Sequence, residues 1–91
     1  MEISQQQVVE RARNDLASRL GIDKDEIVQT SITETDFPDA ALGASVDDEM
    51  SAQVITPGWR IRLNANGQIY EYRTNNRQLR LYNFKGENYR I

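Results

Sequence analysis

The sequence predicts an α+β domain in which one N-terminal amphipathic helix packs on a four-stranded, mainly antiparallel sheet, ordered helix, strand, long connection, three-stranded meander. Three observations carry this prediction. Apolar residues recur at helical spacing near the N-terminus, the pair Asn66-Gly67 separates two runs that alternate apolar with charged side chains, and a third alternating run follows. A chain of 91 residues is too short for two independent cores, so residues 1–91 are expected to form a single domain.

The helix is read from "SQQQVVERARNDLASRLG", with Ser4 as the N-cap, Gln7 three residues on and Gly21 as the stop. Val8, Val9, Ala12, Leu16 and Leu20 fall within a stripe of roughly 120°, while Glu10, Arg11, Asn14, Asp15 and Ser18 lie away from it. Arg11, Asp15 and Arg19 are i,i+4 neighbours of opposite sign and read as a solvated face. Asp23 then caps one helical turn, and the β-branched, Thr-rich segment from Ile27 to about Thr35 reads as a strand.

Asn66-Gly67 is the short-range hairpin signal, and a two-residue turn there pairs Ala65 with Gln68. Counting outward sets Leu63 opposite Tyr70 and Ile61 opposite Tyr72, with Trp59 further along the same face. Arg62 then faces Glu71 and Arg60 faces Arg73 on the other face. The apolar set is expected to receive the helix. "QLRLYNF", residues 78–84, supplies the last strand, "KGENYRI", residues 85–91, reads as a fraying tail, and Arg77, Arg80 and Lys85 read as charges that blunt the sheet edges.

The segment "DFPDAALGASVDDEMSAQVITPG" is long for a connection in a small domain, and such connections tend to be functional. Thr56-Pro57-Gly58 fits a turn with proline second and glycine third, and Leu42, Met50, Val54 and Ile55 are expected to pin the loop onto the sheet.

Composition excludes several chemistries. With neither Cys nor His, the chain has no disulfide, thiol nucleophile, His-dependent triad or usual zinc, haem or iron–sulfur ligand set, and no cofactor is expected. The EF-hand pattern is broken at Ile27 and Val28, and the consecutive Asp47, Asp48 and Glu49 diverge unless the backbone bends around an ion, so no metal is expected. No signal peptide or membrane span is read, which suggests a cytoplasmic chain or the mature form of an exported one. The net charge of −3 conceals asymmetry: residues 1–57 hold four Lys/Arg against twelve Asp/Glu, and residues 58–91 hold seven against two. An acidic first part folding against a basic second part is the simplest consequence.

"FPDAALG", "QVITPGWRIRL" and "NGQIYEYRT" resemble the motifs of a family of small bacterial domains widespread in cyanobacteria, over roughly Val8 to Thr74. The resemblance implies a shared fold rather than an activity. Many members of that family carry Cys-Pro after the Leu-Gly and His before the final Thr, where this chain has Ala44-Ser45 and Arg73. It also implies structural roles for Phe37, Pro38, Asp39, Gly43, Gln53, Pro57 and Gly58. Among these, Asp39 is expected to accept backbone N–H bonds in the turn after Pro38, and Gln53 to bridge loop and sheet.

The resulting expectation is a monomeric, non-catalytic binding module that meets another protein through the loop 36–57 and the adjacent Arg-bearing sheet face. Its candidate binding residues are Asp39, Asp47, Asp48, Glu49, Gln53, Arg60, Arg62 and Arg73. One alternative is a protease-inhibitor-like module presenting that loop. The other is a weak single-stranded nucleic-acid binder, which the overall acidity and the opposed faces of Arg and aromatic residues disfavour.

Overall fold

The computed structural model of the chain describes residues 5–91, so the expected cap at Ser4 lies outside the described residues. Helix α1 spans Gln5–Leu20 and buries Val8, Ala12 and Leu16, with Val9 and Leu20 half-buried beside them. It stops where anticipated: Gly21 has φ +69°, and the Ile22 N–H donates to the Ala17 carbonyl at 3.1 Å, closing the last turn. A 3₁₀ turn at Lys24–Glu26 follows, in which the Glu26 carboxylate accepts the Asp23 N–H at 3.2 Å.

Among the described residues the sheet has five antiparallel strands rather than four: β1 (Ile27–Phe37), β2 (Thr56–Ala65), β3 (Gln68–Thr74), β4 (Leu79–Phe84) and β5 (Glu87–Arg90), neighbours in chain order. The expected fraying tail is therefore a strand. Lys85 and Gly86 take φ +52° and +87°, forming a two-residue hairpin that pairs Phe84 with Glu87. Tyr89 lies against the Arg19 guanidinium, 4.2 Å from its ring centroid, and the Ile91 N–H donates to the Leu79 carbonyl at 2.9 Å.

The β2–β3 register agrees with the count from Asn66-Gly67: Leu63 faces Tyr70, Ile61 faces Tyr72, Arg62 faces Glu71 and Arg60 faces Arg73. Asn66 and Gly67 have φ +55° and +83°, and the Asn64 side chain accepts the Gly67 N–H at 3.2 Å. Replacing Gly67 by Val is expected to cost roughly 1 kcal/mol or more, because a β-branched side chain resists positive φ. Denaturant unfolding checks this, and an unchanged midpoint would contradict it.

On one face, Val8, Ala12 and Leu16 of α1 meet Ile27, Ile61, Leu63, Ala65, Tyr72, Leu79 and Leu81. Trp59 shares this face of β2 but lies outside that core. Asp15, expected on the solvated face, instead ties helix to sheet: it accepts the Tyr72 hydroxyl at 2.7 Å and Arg19 Nε at 2.8 Å. Burial, and then the hydrogen bond to Asp15, push the Tyr72 phenol far above its ordinary value. The sheet edges are β1 and β5, so Arg80, in β4, blunts neither; it is interior and 5% exposed.

Candidate binding face

The strands are longer than the sequence suggested, and the loop between them correspondingly shorter. Asp36 and Phe37 close β1 opposite Pro57 and Thr56, so the connection proper is residues 38–55. Thr56-Pro57-Gly58 is strand, not turn. Proline is tolerated there because β2 runs past the end of β3, whose pairing stops at Trp59–Thr74, leaving no β3 partner to require a proline N–H.

From Phe37 the loop crosses the sheet face opposite α1 and returns. Its first bend is built by Asp39, whose Oδ1 accepts the N–H groups of Ala41 at 3.0 Å and Gly43 at 2.9 Å, as the sequence suggested. Ala41, Leu42 and Ala44 are fully buried there, and the return leg is tied to the outgoing leg by the Ala40 N–H donating to the Ala52 carbonyl at 3.0 Å.

Four side chains from the second half of the chain fasten this crossing. Arg73 Nη1 donates to the carbonyls of Leu42 at 3.1 Å and Gly43 at 3.2 Å, its Nε pairs with Glu71 at 2.8 Å, and its guanidinium lies 3.6 Å from the centroid of the Tyr82 ring. Gly43 leaves room for that guanidinium, since a Cβ there would stand 2.7 Å from Nη1. Gln78 Nε2 donates to the Ala40 carbonyl at 2.9 Å, and Asn88 Nδ2 to the Ser45 carbonyl at 2.8 Å. Arg80 makes the tightest link: Nη1 and Nη2 each reach a different oxygen of Glu49 at 2.6 Å, and Nη1 also meets the Ala44 carbonyl at 3.2 Å.

The consecutive acids therefore split. Asp47 and Asp48 are exposed, whereas Asp48, at φ +65°, turns the chain so that Glu49 points inward. Glu49 accepts the Val46 N–H at 3.0 Å and lies 3.7 Å from Arg90. The Arg80 hydrogen bonds hold the Glu49 carboxyl at about 2, against the opposing effect of its partial burial.

Beyond the acidic tip, the loop turns apolar side chains outward. Met50 is 97%, Val54 53% and Ile55 70% exposed, contrary to the expectation that they pin the loop; of that set only Leu42 is buried. Gln53 is exposed too, and the bridge expected of it is made by Gln78. On the same sheet face, Arg60 and Arg62 share Glu71 with Arg73, at Nε–carboxylate distances of 3.2 and 3.5 Å. Arg60 Nε is buried and oriented for an ion pair but no hydrogen bond.

Asp39, Glu49 and Arg73 thus hold the fold, whereas Asp47, Asp48, Gln53 and Arg62 face solvent and Arg60 is about one-third exposed. Sequence reasoning missed Arg80, Gln78 and Asn88 as loop anchors. It also missed a hollow at the sheet end, about 670 Å³, lined by Trp59, Asp36, Asn75 and Arg77. Among the described residues no three acidic side chains converge as metal ligands, and no helix is long and apolar enough to cross a membrane.

Residues 9–82 match a family described as a domain of unknown function, DUF8738. No curated protein and no solved structure matches the chain.

Proposed function

The chain belongs to the domain family DUF8738, whose function is unknown, and from that premise we propose that it is a non-catalytic module that binds another protein through the outer side of loop 38–55. One observation carries the reading: Arg73, Gln78, Arg80 and Asn88 fasten residues 40–49 from beneath, and the return leg, tied to them by the Ala40–Ala52 bond and running into β2 at Thr56, presents Met50, Val54 and Ile55 to solvent. Apolar side chains on a segment already held by polar anchors add nothing to the core, and a preorganised segment loses little entropy on binding. Arg60 and Arg62 on the same sheet face, and Asp47 and Asp48 on the loop, surround this apolar contact with charges of both signs, which suits a partner with a polar rim.

The test is the triple substitution Met50→Ser, Val54→Ser, Ile55→Ser. Unfolding free energy is expected to move by less than about 0.5 kcal/mol per site. Capture of a cross-linked partner from extract of the source cells is expected to fall at least tenfold. Equal capture by both proteins rejects the reading.

A protease-inhibitor-like module is the second reading, favoured by the anchoring of segment 50–55 at both ends, by Glu49 on Arg80 and by Thr56 in β2. Stoichiometric inhibition of a serine protease, lost in the same triple variant, distinguishes it from simple binding. Single-strand binding has less support: Arg73 and Arg80 are committed to the loop, and Tyr72 is fully buried on the opposite face.

A further inference from the structure

We propose a second interaction surface, independent of the loop: the free edge of β1 accepts an extended basic peptide as an added strand. Among the described residues β1 is an outer strand of eleven residues paired only with β2, so alternate residues direct N–H and C=O groups outward with no described strand to receive them. The opposite edge, β5, has four residues and ends in Arg90, whereas β1 contains neither proline nor a basic residue. Its single interruption is a bulge between Gln29 and Ser31, where the Thr30 hydroxyl donates to the Arg62 carbonyl at 3.1 Å, and Ser31–Phe37 then runs unbroken.

This edge adjoins a groove. Between β1 and the first half of α1 lies an opening of about 590 Å³, lined by Val9, Gln29 and Ile32 among others. An edge strand beside a helix is the geometry in which a peptide adds to a sheet through main-chain bonds while alternate side chains enter the groove.

Charge identifies the occupant. Pairing with Ile61, Trp59 and Pro57 places Ile32, Glu34 and Asp36 successively on the α1 side of β1, and among the described residues neither acid makes an ion pair. An added strand therefore meets, on that face, one apolar site in the groove, Ile32, and beyond it two acidic ones, Glu34 and Asp36, at the hollow that Arg77 also lines, which favours an apolar residue and two Lys or Arg at every second position. A second copy is disfavoured, because two acidic edges would be brought together.

The probe is the peptide Thr-Val-Thr-Lys-Thr-Lys-Thr, with blocked ends, in this order and reversed, titrated into the ¹⁵N-labelled full chain. At least one order is expected to shift backbone amides of residues 31–37 saturably, and replacement of its lysines by Glu to weaken binding at least tenfold. N-methylation of alternate peptide amides is expected to remove it on one of the two phases, because only one set faces β1. The variant Glu34→Lys, Asp36→Lys, whose amide spectrum reports that the fold is kept, is expected to lose at least tenfold in affinity for the basic peptide. The loop variant at Met50, Val54 and Ile55 should bind it unchanged, separating this surface from the loop. The proposal is overturned if neither order shifts the β1 amides, if the Glu peptide binds equally well, or if those amides respond to protein concentration alone, the signature of a second copy on the edge.

Discussion

Replacing Glu49 by Gln is expected to destabilise the domain by about 3 kcal/mol at neutral pH, while replacing Asp47 and Asp48 together by Asn changes stability by less than about 1 kcal/mol. The three acids are consecutive but not equivalent. Arg80 is 5% exposed, and both of its terminal nitrogens are met by Glu49, so Gln there leaves a buried guanidinium without a counter-charge, with one neutral amide oxygen in place of two carboxylate oxygens and an NH2 donor turned towards its own N–H groups. Asp48 sits at φ +65°, a conformation that Asn accepts readily. Against a total stability of roughly 5–14 kcal/mol for a chain of this size, the loss expected from Glu49→Gln is a large fraction.

The same link carries a pH signature. Because the folded-state value of Glu49 is depressed to about 2 from an ordinary 4.5, its contribution is fully present above the unfolded value and is lost as pH falls from about 4.5 towards 2. Urea unfolding of wild type and Glu49→Gln should therefore differ most above about pH 5 and converge near pH 2. A difference that stays constant across this range would show that the carboxylate charge is not what fastens the loop.

Legibility in the sequence followed the range of the interactions. The β2–β3 register was readable because a two-residue Asn-Gly turn leaves one way to pair the flanking strands, and the helix because its stripe and stop are local. β5 was not readable: its turn uses positive φ at Lys85, a residue that rarely marks such a turn, and Glu87, Asn88 and Arg90 look like a solvated tail until Tyr89 is seen against Arg19. The loop was legible in its first bend, where Asp39 bonds residues two and four positions on. Its path across the sheet was not, because Arg73 and Arg80 reach carbonyls and a carboxylate about thirty positions away, and alternation along a strand does not say which of its charged side chains a loop will cover. The alternating Arg residues of β2 and β3 thus had two fates: Arg73 is enclosed, while Arg62 stays at the surface with Arg60 partly covered.

Gly58→Ala is expected to cost about 3 kcal/mol or more, although exchanging a strand glycine for alanine ordinarily stabilises by reducing the freedom of the unfolded chain. A Cβ at this position would collide with the backbone carbonyl oxygen of Thr74 and stand 3.2 Å from Cε2 of Phe37. Neither neighbour yields easily. Thr74 closes β3 opposite Trp59, is 2% exposed, and is held by its own hydroxyl donating to the Gln78 carbonyl at 2.7 Å; Phe37 is 1% exposed beneath the start of the loop. Relief of the collision must therefore part β2 from the end of β3 or displace Phe37, the last residue of β1 before the loop, and either movement loosens the binding face along with the core. Gly67→Ala is the control, since a Cβ there meets nothing within 4 Å and the cost is that of positive φ alone, about 1 kcal/mol. Urea unfolding of the two variants side by side decides the matter: a Gly58→Ala loss no greater than that of Gly67→Ala would mean that the close approach of Thr74 to β2 is not what glycine at position 58 provides.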